Sequence, residues 1–276
     1  MNGLIFLGIG LTIGLAALFL DDDDSSSTSG EPTDGDDILT GTEGDDEIFA
    51  GDGEDLIEGR GGNDRLFGEE DNDFVSGGAG DDFLRGGEGD DYVLDHEGSD
   101  TLEGNLGDDT IVATSALDGE EIAAFAKGVF NGTISDPSSI EDLYRPDTDT
   151  DSDADRIRGG EGDDLVLAGD GDVVSLGEGE DTLGVGDWIV AGDEPVVLTD
   201  YSRFEDAIVY SHDGQGNAPE LSLEETLDAF GDPEDALLYA DGHLVARIEG
   251  AGGLVSLNDI RIVDRSSLSD PVLSIL

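Results

Sequence analysis

The 276-residue sequence contains no cysteine, and this absence excludes disulfide bonds, thiolate zinc sites and cysteine nucleophiles. Basic residues are also scarce, because 11 lysines and arginines stand against 70 aspartates and glutamates, giving a formal net charge of −59. Nucleic-acid binding needs a basic surface, so the composition excludes that class of function. A compact state of this chain must also overcome repulsion among its own carboxylates.

Bulky side chains are few, with 10 Phe, 5 Tyr and 1 Trp beside 43 glycines. A large aromatic core is therefore not expected, and the fold must gain stability from another source, such as a bound metal. Composition alone leaves three explanations for the acidic excess: a disordered acidic chain, a salt-adapted surface, or a set of calcium ligands.

Catalytic motifs are also missing. Neither H-E-x-x-H nor G-x-S-x-G occurs, and the three histidines are His96, His212 and His243. Residues 211–213 (Ser-His-Asp) have the residue types of a catalytic triad, but consecutive residues cannot form one, and we interpret them as a polar loop. We therefore expect no enzymatic activity.

A long hydrophobic run opens the chain. Residues 4–20 are apolar apart from glycines and Thr12, and four aspartates follow directly. A helix of this length reaches about 26 Å, slightly short of a hydrocarbon core of about 30 Å. We predict that residues 1–20 form a hydrophobic helix that acts as a membrane anchor or a signal segment. Residues 21–33 are of low complexity and predict a flexible acidic linker.

A nine-residue repeat occupies residues 34–112. An aspartate recurs every nine residues, an aliphatic residue follows two positions later, and a glycine stands two positions earlier except at Asp71. The aspartates are Asp37, Asp46, Asp55, Asp64, Asp73, Asp82, Asp91, Asp100 and Asp109. The aliphatic residues are Leu39, Ile48, Ile57, Leu66, Val75, Leu84, Val93, Leu102 and Ile111. A fixed period of this kind indicates a repeat architecture.

A second block with the same pattern occupies residues 151–184. Its aspartates are Asp155, Asp164, Asp172 and Asp181, and its aliphatic residues are Ile157, Val166, Val174 and Leu183. One interval is eight residues long, so one turn is a residue short. Residues 113–150 lose the period, and we predict an insertion that interrupts or caps the first block.

The repeat combines the features of a strand with those of a calcium-binding turn. Side chains alternate along a strand, so only the aliphatic residue of each repeat faces inward. The glycines of the turn permit positive φ and allow carbonyl oxygens to approach one another. Carbonyl and carboxylate oxygens are hard ligands, of which calcium collects about six to eight. The acids directly before the repeat aspartates are interpreted as a solvated face, with direct coordination as the alternative. They are Asp36, Asp45, Glu54, Asp81, Asp90, Asp108 and Asp163.

The repeat unit G-G-x-G-x-D-x-U-x is clearest in residues 77–85 (GGAGDDFLR) and 86–94 (GGEGDDYVL). It resembles the RTX, or hemolysin-type, calcium-binding repeats of bacterial secreted or surface proteins. The resemblance implies an all-β fold, a right-handed parallel β-roll with two repeats in each coil. It further implies Ca²⁺ ions held between aspartates of adjacent coils, eighteen residues apart, which gives nine sites within the two blocks. All thirteen repeat aspartates are thus candidate metal ligands.

Two departures from the consensus affect particular sites. Asp71 stands where a glycine belongs, which weakens the expectation for Asp73, and the short turn is expected to displace Asp172. Residues 95–103 (DHEGSDTLE) lack the leading pair of glycines.

Residues 185–276 return to ordinary apolar segments and predict a β-rich C-terminal cap. Residues 222–230 are compatible with a capped helix or a strand, and Asp241-Gly242 predicts a two-residue hairpin turn. Predicted strands are Trp188–Ala191, Val196–Leu198, Ala207–Tyr210, Ala236–Ala240, Leu244–Ile248 and Ile260–Val263.

We therefore expect a calcium-binding protein that folds when calcium binds, is extracellular or at the cell surface, and has a structural or adhesive role without catalysis. The alternative is a calcium-dependent secreted hydrolase or toxin-like protein with its site in the C-terminal region. Expected partners are calcium ions and, through residues 4–20, a membrane; the sequence identifies no protein or glycan partner. The strict period argues against a disordered acidic chain.

Overall fold

The computed structural model describes residues 34–95, 97–114, 153–189, 194–212 and 218–264. These residues form nineteen strands and no helix. The predicted hydrophobic helix (1–20), the linker (21–33) and nearly all of the insertion (113–150) lie outside the described residues. Within the described part of the chain, no helix has the length and apolar character needed to cross a membrane.

The strands follow one another at short intervals. They are β1 (Ile38–Thr40), β2 (Glu47–Asp52), β3 (Leu56–Gly61), β4 (Arg65–Glu70), β5 (Phe74–Ala79), β6 (Phe83–Glu88), β7 (Tyr92–Asp95), β8 (Thr101–Leu106), β9 (Thr110–Ala113), β10 (Arg156–Glu161), β11 (Leu165–Ala168), β12 (Val173–Glu178), β13 (Thr182–Gly186), β14 (Val196–Leu198), β15 (Ala207–His212), β16 (Leu221–Leu227), β17 (Pro233–Ala240), β18 (His243–Ile248) and β19 (Ile260–Asp264).

Successive strands alternate between two sheets, as expected of a flattened coil. The first sheet has the order β1-β3-β5-β7-β9-β11-β13-β15-β19. The second has the order β2-β4-β6-β8-β10-β12-β14-β18-β17-β16. Neighbouring strands from β1 to β15 are parallel, and in the first block their partners are eighteen residues apart, as in Leu56 with Phe74. The predicted all-β architecture of parallel repeats is confirmed for the described residues.

The main core lies between the two sheets, and a smaller cluster is separate from it, formed by Leu94, Val112, Leu165, Leu167, Val209 and Val263. All thirteen predicted inward-facing aliphatic residues are buried, with 0–7% of their surface exposed. Full burial of one such side chain contributes about 1.5–3 kcal/mol. Each repeat of the first block supplies only one large side chain to the core between the sheets, so the core is thin there; the second block adds Leu176.

The two repeat blocks form one uninterrupted solenoid. Strand β10 stacks on β8 with Arg156 opposite Thr101, and β11 stacks on β9 with Leu165 opposite Thr110. The insertion therefore lies between β9 and β10 in the sequence and does not interrupt the stacking of the strands. The missing residue of the short repeat is accommodated in the turn before β12, where Gly171 adopts a φ of +81°. The strand register is kept, because Arg156 lies opposite Val173.

Side chains on the outer face of the second sheet also form ladders, one of which joins the two repeat blocks. Phe49 and Phe67 stack with ring centroids 4.6 Å apart. Further along, the buried carboxylate of Glu103 accepts hydrogen bonds from Arg85 and Arg158, each at 2.6 Å. Arg158 belongs to the second block and Arg85 to the first, so this ion-pair network joins the blocks.

Stacking continues beyond the glycine-rich repeats. Strand β14 lies on β12, β15 on β13, β18 on β14 and β19 on β15, all in parallel. Strands β16 and β17 then close the second sheet in antiparallel fashion. The predicted hairpin is confirmed, because Asp241 and Gly242 connect β17 to β18 with φ values of +49° and +83°.

The first half of one predicted C-terminal strand, 188–191, is wrong, its second half lies outside the described residues, and one open alternative is resolved. Trp188 and Ile189 lie in a turn, where the Trp188 indole N–H donates to the carbonyl oxygen of Ala168 at 2.9 Å. Burial of the indole requires such a partner, and the chain bends to supply it. Residues Leu221–Leu227 form a strand and not a helix. The other predicted C-terminal strands are present within β14, β15, β17, β18 and β19.

Candidate metal centres

The thirteen predicted ligands occupy equivalent positions, because each directly precedes one of the strands β1–β13. All are buried, with 0–7% of their surface exposed. The aspartates before odd-numbered strands form a first edge: Asp37, Asp55, Asp73, Asp91, Asp109, Asp164 and Asp181. Those before even-numbered strands form a second edge: Asp46, Asp64, Asp82, Asp100, Asp155 and Asp172.

A ladder of hydrogen bonds runs along each edge. The backbone N–H of each aspartate donates to Oδ1 of the aspartate one coil further on, at 2.6–3.0 Å, in eleven successive pairs. The ladder continues across the insertion, since Asp100 donates to Asp155 at 2.7 Å and Asp109 to Asp164 at 2.8 Å. These two pairs were not among the nine expected from the sequence, which paired aspartates only within each block.

The second carboxylate oxygen, Oδ2, is the unusual atom of the arrangement. Eight of these oxygens are buried without a hydrogen-bond partner among the described residues. They belong to Asp55, Asp64, Asp73, Asp82, Asp91, Asp109, Asp164 and Asp181. A buried acceptor left unpaired costs about 1–3 kcal/mol, and more when it is charged. Because the same cost recurs along both edges, the arrangement fits the binding of cations at these positions.

At five positions, a cradle for such a cation lies in front of the glycine five residues before a repeat aspartate. A Cβ added at Gly41 would lie 2.6 Å from the carbonyl oxygen of Gly59, on the next coil, and 2.6 Å from Asp46 Oδ2, which also accepts hydrogen bonds from the backbone N–H and the hydroxyl of Thr42. A carboxylate oxygen and a next-coil carbonyl oxygen meet in the same way in front of Gly59, Gly68, Gly104 and Gly159. Both oxygens are acceptors, so their convergence fits a hard cation such as calcium. A side chain at these glycines would fill the space.

Burial raises the pKa of these carboxyl groups. The pKa rises to about 7 for Asp55, Asp64, Asp91 and Asp109, to about 8 for Asp164 and to about 9 for Asp73. Loss of water is the main cause, and the backbone N–H bond to Oδ1 opposes it. In the ion-free folded chain, these oxygens therefore attract protons as well as cations.

The two departures from the consensus do not displace the carboxylates concerned. Asp71 adopts the left-handed φ of +72° that glycine takes elsewhere, and Asp73 keeps both of its ladder bonds at 2.8 Å. In the short repeat, Asp172 Oδ1 accepts from Asp155 at 3.0 Å, while Oδ2 accepts from the backbone N–H of Gly169 at 2.7 Å. Asp172 thus stays in the ladder, but the shortened turn supplies a donor to its second oxygen.

Asp206 is a ladder residue that the period did not reveal. It precedes β15 in the same way that Asp181 precedes β13, since Ala207 lies opposite Thr182. Its carboxylate accepts hydrogen bonds from the backbone N–H groups of Ser202 and Asp181, and burial raises its pKa to about 6. The interval of 25 residues from Asp181 hid it from a search for nine-residue spacing.

The acids directly before the ligands are exposed, as expected of a solvated face. They also have a structural role that the sequence did not indicate. Oδ1 of six of them accepts the backbone N–H one coil further on, as Asp90 does from Asp108 at 3.0 Å. This outer ladder runs opposite to the buried one, so each turn is bonded to both neighbouring coils.

The histidines and the Ser-His-Asp sequence do not form a site within the described residues. The prediction of a polar loop is wrong for Ser211 and His212, because both residues are buried in β15. Successive side chains of a strand point to opposite faces, so these two side chains diverge. His243 begins β18 and is exposed. His96 and Asp213 lie outside the described residues.

Comparison with known proteins agrees with this geometry. The family model described as RTX calcium-binding nonapeptide repeat matches in four copies, at residues 32–66, 58–93, 96–115 and 149–183. No curated protein matches the sequence. Among solved structures, the extracellular lipase LipA from Serratia marcescens is similar at 14% identity with a TM-score of 0.20. The alignment covers 87% of this chain and 40% of the lipase chain, so this protein spans less than half of that chain's length.

Proposed function

The chain carries RTX calcium-binding nonapeptide repeats, and from that premise we propose that it is a calcium-folded β-roll protein, secreted or displayed at the cell surface. Its role is structural or adhesive, without catalysis. The observation that carries the proposal is the row of buried Oδ2 atoms facing carbonyl oxygens along both edges.

The residues that would hold calcium follow from the ladder. Each of the eleven hydrogen-bonded pairs places two carboxylates on adjacent coils. Asp181 and Asp206 form a further pair at the C-terminal end of the first edge. Calcium supplies positive charge and coordination to oxygens that the chain leaves without donors.

Electrostatics explains why folding would depend on the ion. Adjacent coils are about 4.8 Å apart, and two charges at that distance repel by about 3 kcal/mol at an effective dielectric constant near 20. This repulsion recurs at every step of both edges, while each repeat of the first block contributes only one large aliphatic side chain to the core between the sheets. Binding free energy therefore becomes folding free energy.

The same dependence supports an extracellular location. A chain with a net charge of −59 and a thin core stays unfolded where calcium is scarce and folds where it is abundant. The absence of cysteine is consistent with metal ions in place of disulfides as the stabilising cross-links. The similarity to the extracellular lipase carries no argument for lipase activity.

The test is circular dichroism of the full chain during a calcium titration, with magnesium as the control. We expect a cooperative gain of β signal with calcium and little change with magnesium, which demands smaller, octahedral sites. A chain that is already folded in chelator, or that stays unfolded in millimolar calcium, would refute calcium-dependent folding. Isothermal titration calorimetry on the same sample counts the ions.

A further inference from the structure

One position in the second edge departs from the repeat in a way that adds a charge. Asp95 ends β7 and takes the place of the first glycine in the nonapeptide that contains Asp100. One coil earlier, the corresponding residue is Gly77. The side chain of Asp95 is fully buried, at 0% exposure, so the substitution places an extra carboxyl group inside the corner of the solenoid.

This carboxyl group lies in the cradle of another ligand. A Cβ added at Gly77 would meet Oδ2 of both Asp82 and Asp95. One oxygen from each of Asp82, Asp95 and Asp100 lies within 4.8 Å of the others. In the neighbouring cradle in front of Gly59, the second oxygen is a backbone carbonyl instead. The cluster is thus a three-carboxylate variant of a two-carboxylate arrangement.

Asp82 supplies an independent indication of a ligand. Its Oδ1 accepts the backbone N–H of Asp64 at 2.7 Å, whereas its buried Oδ2 receives no backbone N–H and faces the carboxyl group of Asp95 in front of Gly77. Asp82 is 4% exposed, so water does not satisfy this oxygen. Three buried carboxyl groups at this separation need a cation between them or protons upon them.

We propose that Asp95 is a calcium ligand and that Asp82, Asp95 and Asp100 form a site of higher affinity than the two-carboxylate sites. This inference rests on the proposed function. Ligand charge count is one of the properties that tune calcium affinity, so the third carboxylate favours filling of this site first. The coils of a solenoid stabilise their nearest neighbours, and folding spreads from the first stable unit. The cluster lies near the middle of the stack, so folding would spread from it in both directions.

The test is calcium titration of the full chain by calorimetry and by competition with a chelating indicator. Wild type should show one ion in a tight class, and Asp95→Asn and Asp95→Gly should each weaken that ion about tenfold or more. Glycine is the consensus residue at this position, so Asp95→Gly should fold even if the asparagine variant does not. Asp81→Asn is the matched control, since it removes a nearby exposed charge and keeps the Oδ1 acceptor for Ser99.

Each outcome decides the proposal. Loss of the tight class in both Asp95 variants, but not in Asp81→Asn, supports it. If the Asp95 variants bind the same number of ions with wild-type affinity, Asp95 only shares a proton with Asp82 and the proposal is wrong. If all three variants weaken binding equally, the effect is one of general charge, and the proposal is again wrong. If wild type binds no calcium at all, the proposed function itself fails.

Discussion

Replacement of Asp91 by asparagine tests the ladder at its centre. Asp91 is 1% exposed, and its Oδ1 accepts the backbone N–H of Asp73 at 2.8 Å. Asparagine keeps this acceptor but places an NH₂ donor where Oδ2 faces the cradle at Gly86. Removal of one member of a buried charge pair costs about 3–5 kcal/mol, so the calcium-bound chain should lose about that much unfolding free energy.

The magnitude decides which assay is informative. If eleven ions bind as the chain folds, each tenfold change in free calcium concentration changes the folding free energy by about 15 kcal/mol. A loss of about 3–5 kcal/mol therefore raises the calcium concentration at the folding midpoint only about twofold. Urea unfolding at fixed, saturating calcium shows the whole effect. Calorimetry should also count up to two fewer ions, because Asp91 belongs to the pairs with Asp73 and with Asp109.

The control is the adjacent residue. Asp90 is exposed, and its Oδ1 accepts from Asp108 at 3.0 Å, so Asp90→Asn removes the same charge without touching a cradle. Exposed charges contribute about 0–1 kcal/mol, and we expect a change within that range. Equal losses in the two variants, or no loss in Asp91→Asn, would show that the buried carboxylates are not ligands.

Three further predictions address the cradle, the proton and the turn. Gly41→Ala should destabilise the calcium-bound chain by about 1–3 kcal/mol, because its Cβ would lie 2.6 Å from two oxygens. Gly44→Ala is the control and should be tolerated, because the nearest atom to its Cβ would be 3.9 Å away. Thermal unfolding in calcium compares the two variants. Because burial raises the pKa of these carboxyl groups to about 7–9 in the folded chain, the ion-free fold is destabilised at pH above those values, and this penalty is lost as pH falls towards the ordinary aspartate pKa of 3.8. Calcium should therefore bind more weakly as pH falls below about 7 and should release protons near pH 7, which calorimetry in two buffers of different ionisation enthalpy measures; binding without proton release would contradict the raised pKa values. Glu69, near the end of β4, and Asp71, directly after it, have positive φ values of +91° and +72°, so glycine at either should stabilise by about 0.5–1 kcal/mol. Glu70 between them does not have a positive φ, so Glu70→Gly should destabilise, and the reverse order of melting temperatures would contradict the argument.

The sequence predicted the ligand positions in the repeats because backbone register and period coincide there. Every nine residues the chain crosses from one sheet to the other, so an aspartate at fixed spacing always returns to a corner. The period did not reveal Asp206, because a longer connection precedes β15. Only the pairing of β13 with β15 shows that Asp206 is the next residue after Asp181 along the first edge.

Other features depend on contacts between distant parts of the chain. The pairs that cross the insertion depend on β8 meeting β10, and spacing in the sequence does not report that contact. The C-terminal stacking was missed because strand pairing needs backbone groups and a buried face, not the glycine-aspartate pattern. The cluster at Asp95 was visible only as a missing glycine, since the meeting of its carboxyl group with Asp82 is a tertiary contact.

The unbroken stacking across the turn between β9 and β10 has a consequence for how such a chain tolerates change. Each coil depends on the strands directly above and below it, not on the number of residues that connect them. Doubling the length of a flexible connection costs only about 0.6 kcal/mol in closure entropy. The corner turns should therefore tolerate an inserted segment, natural or engineered, because the stacked strands and the proposed metal sites on either side hold its two ends in place.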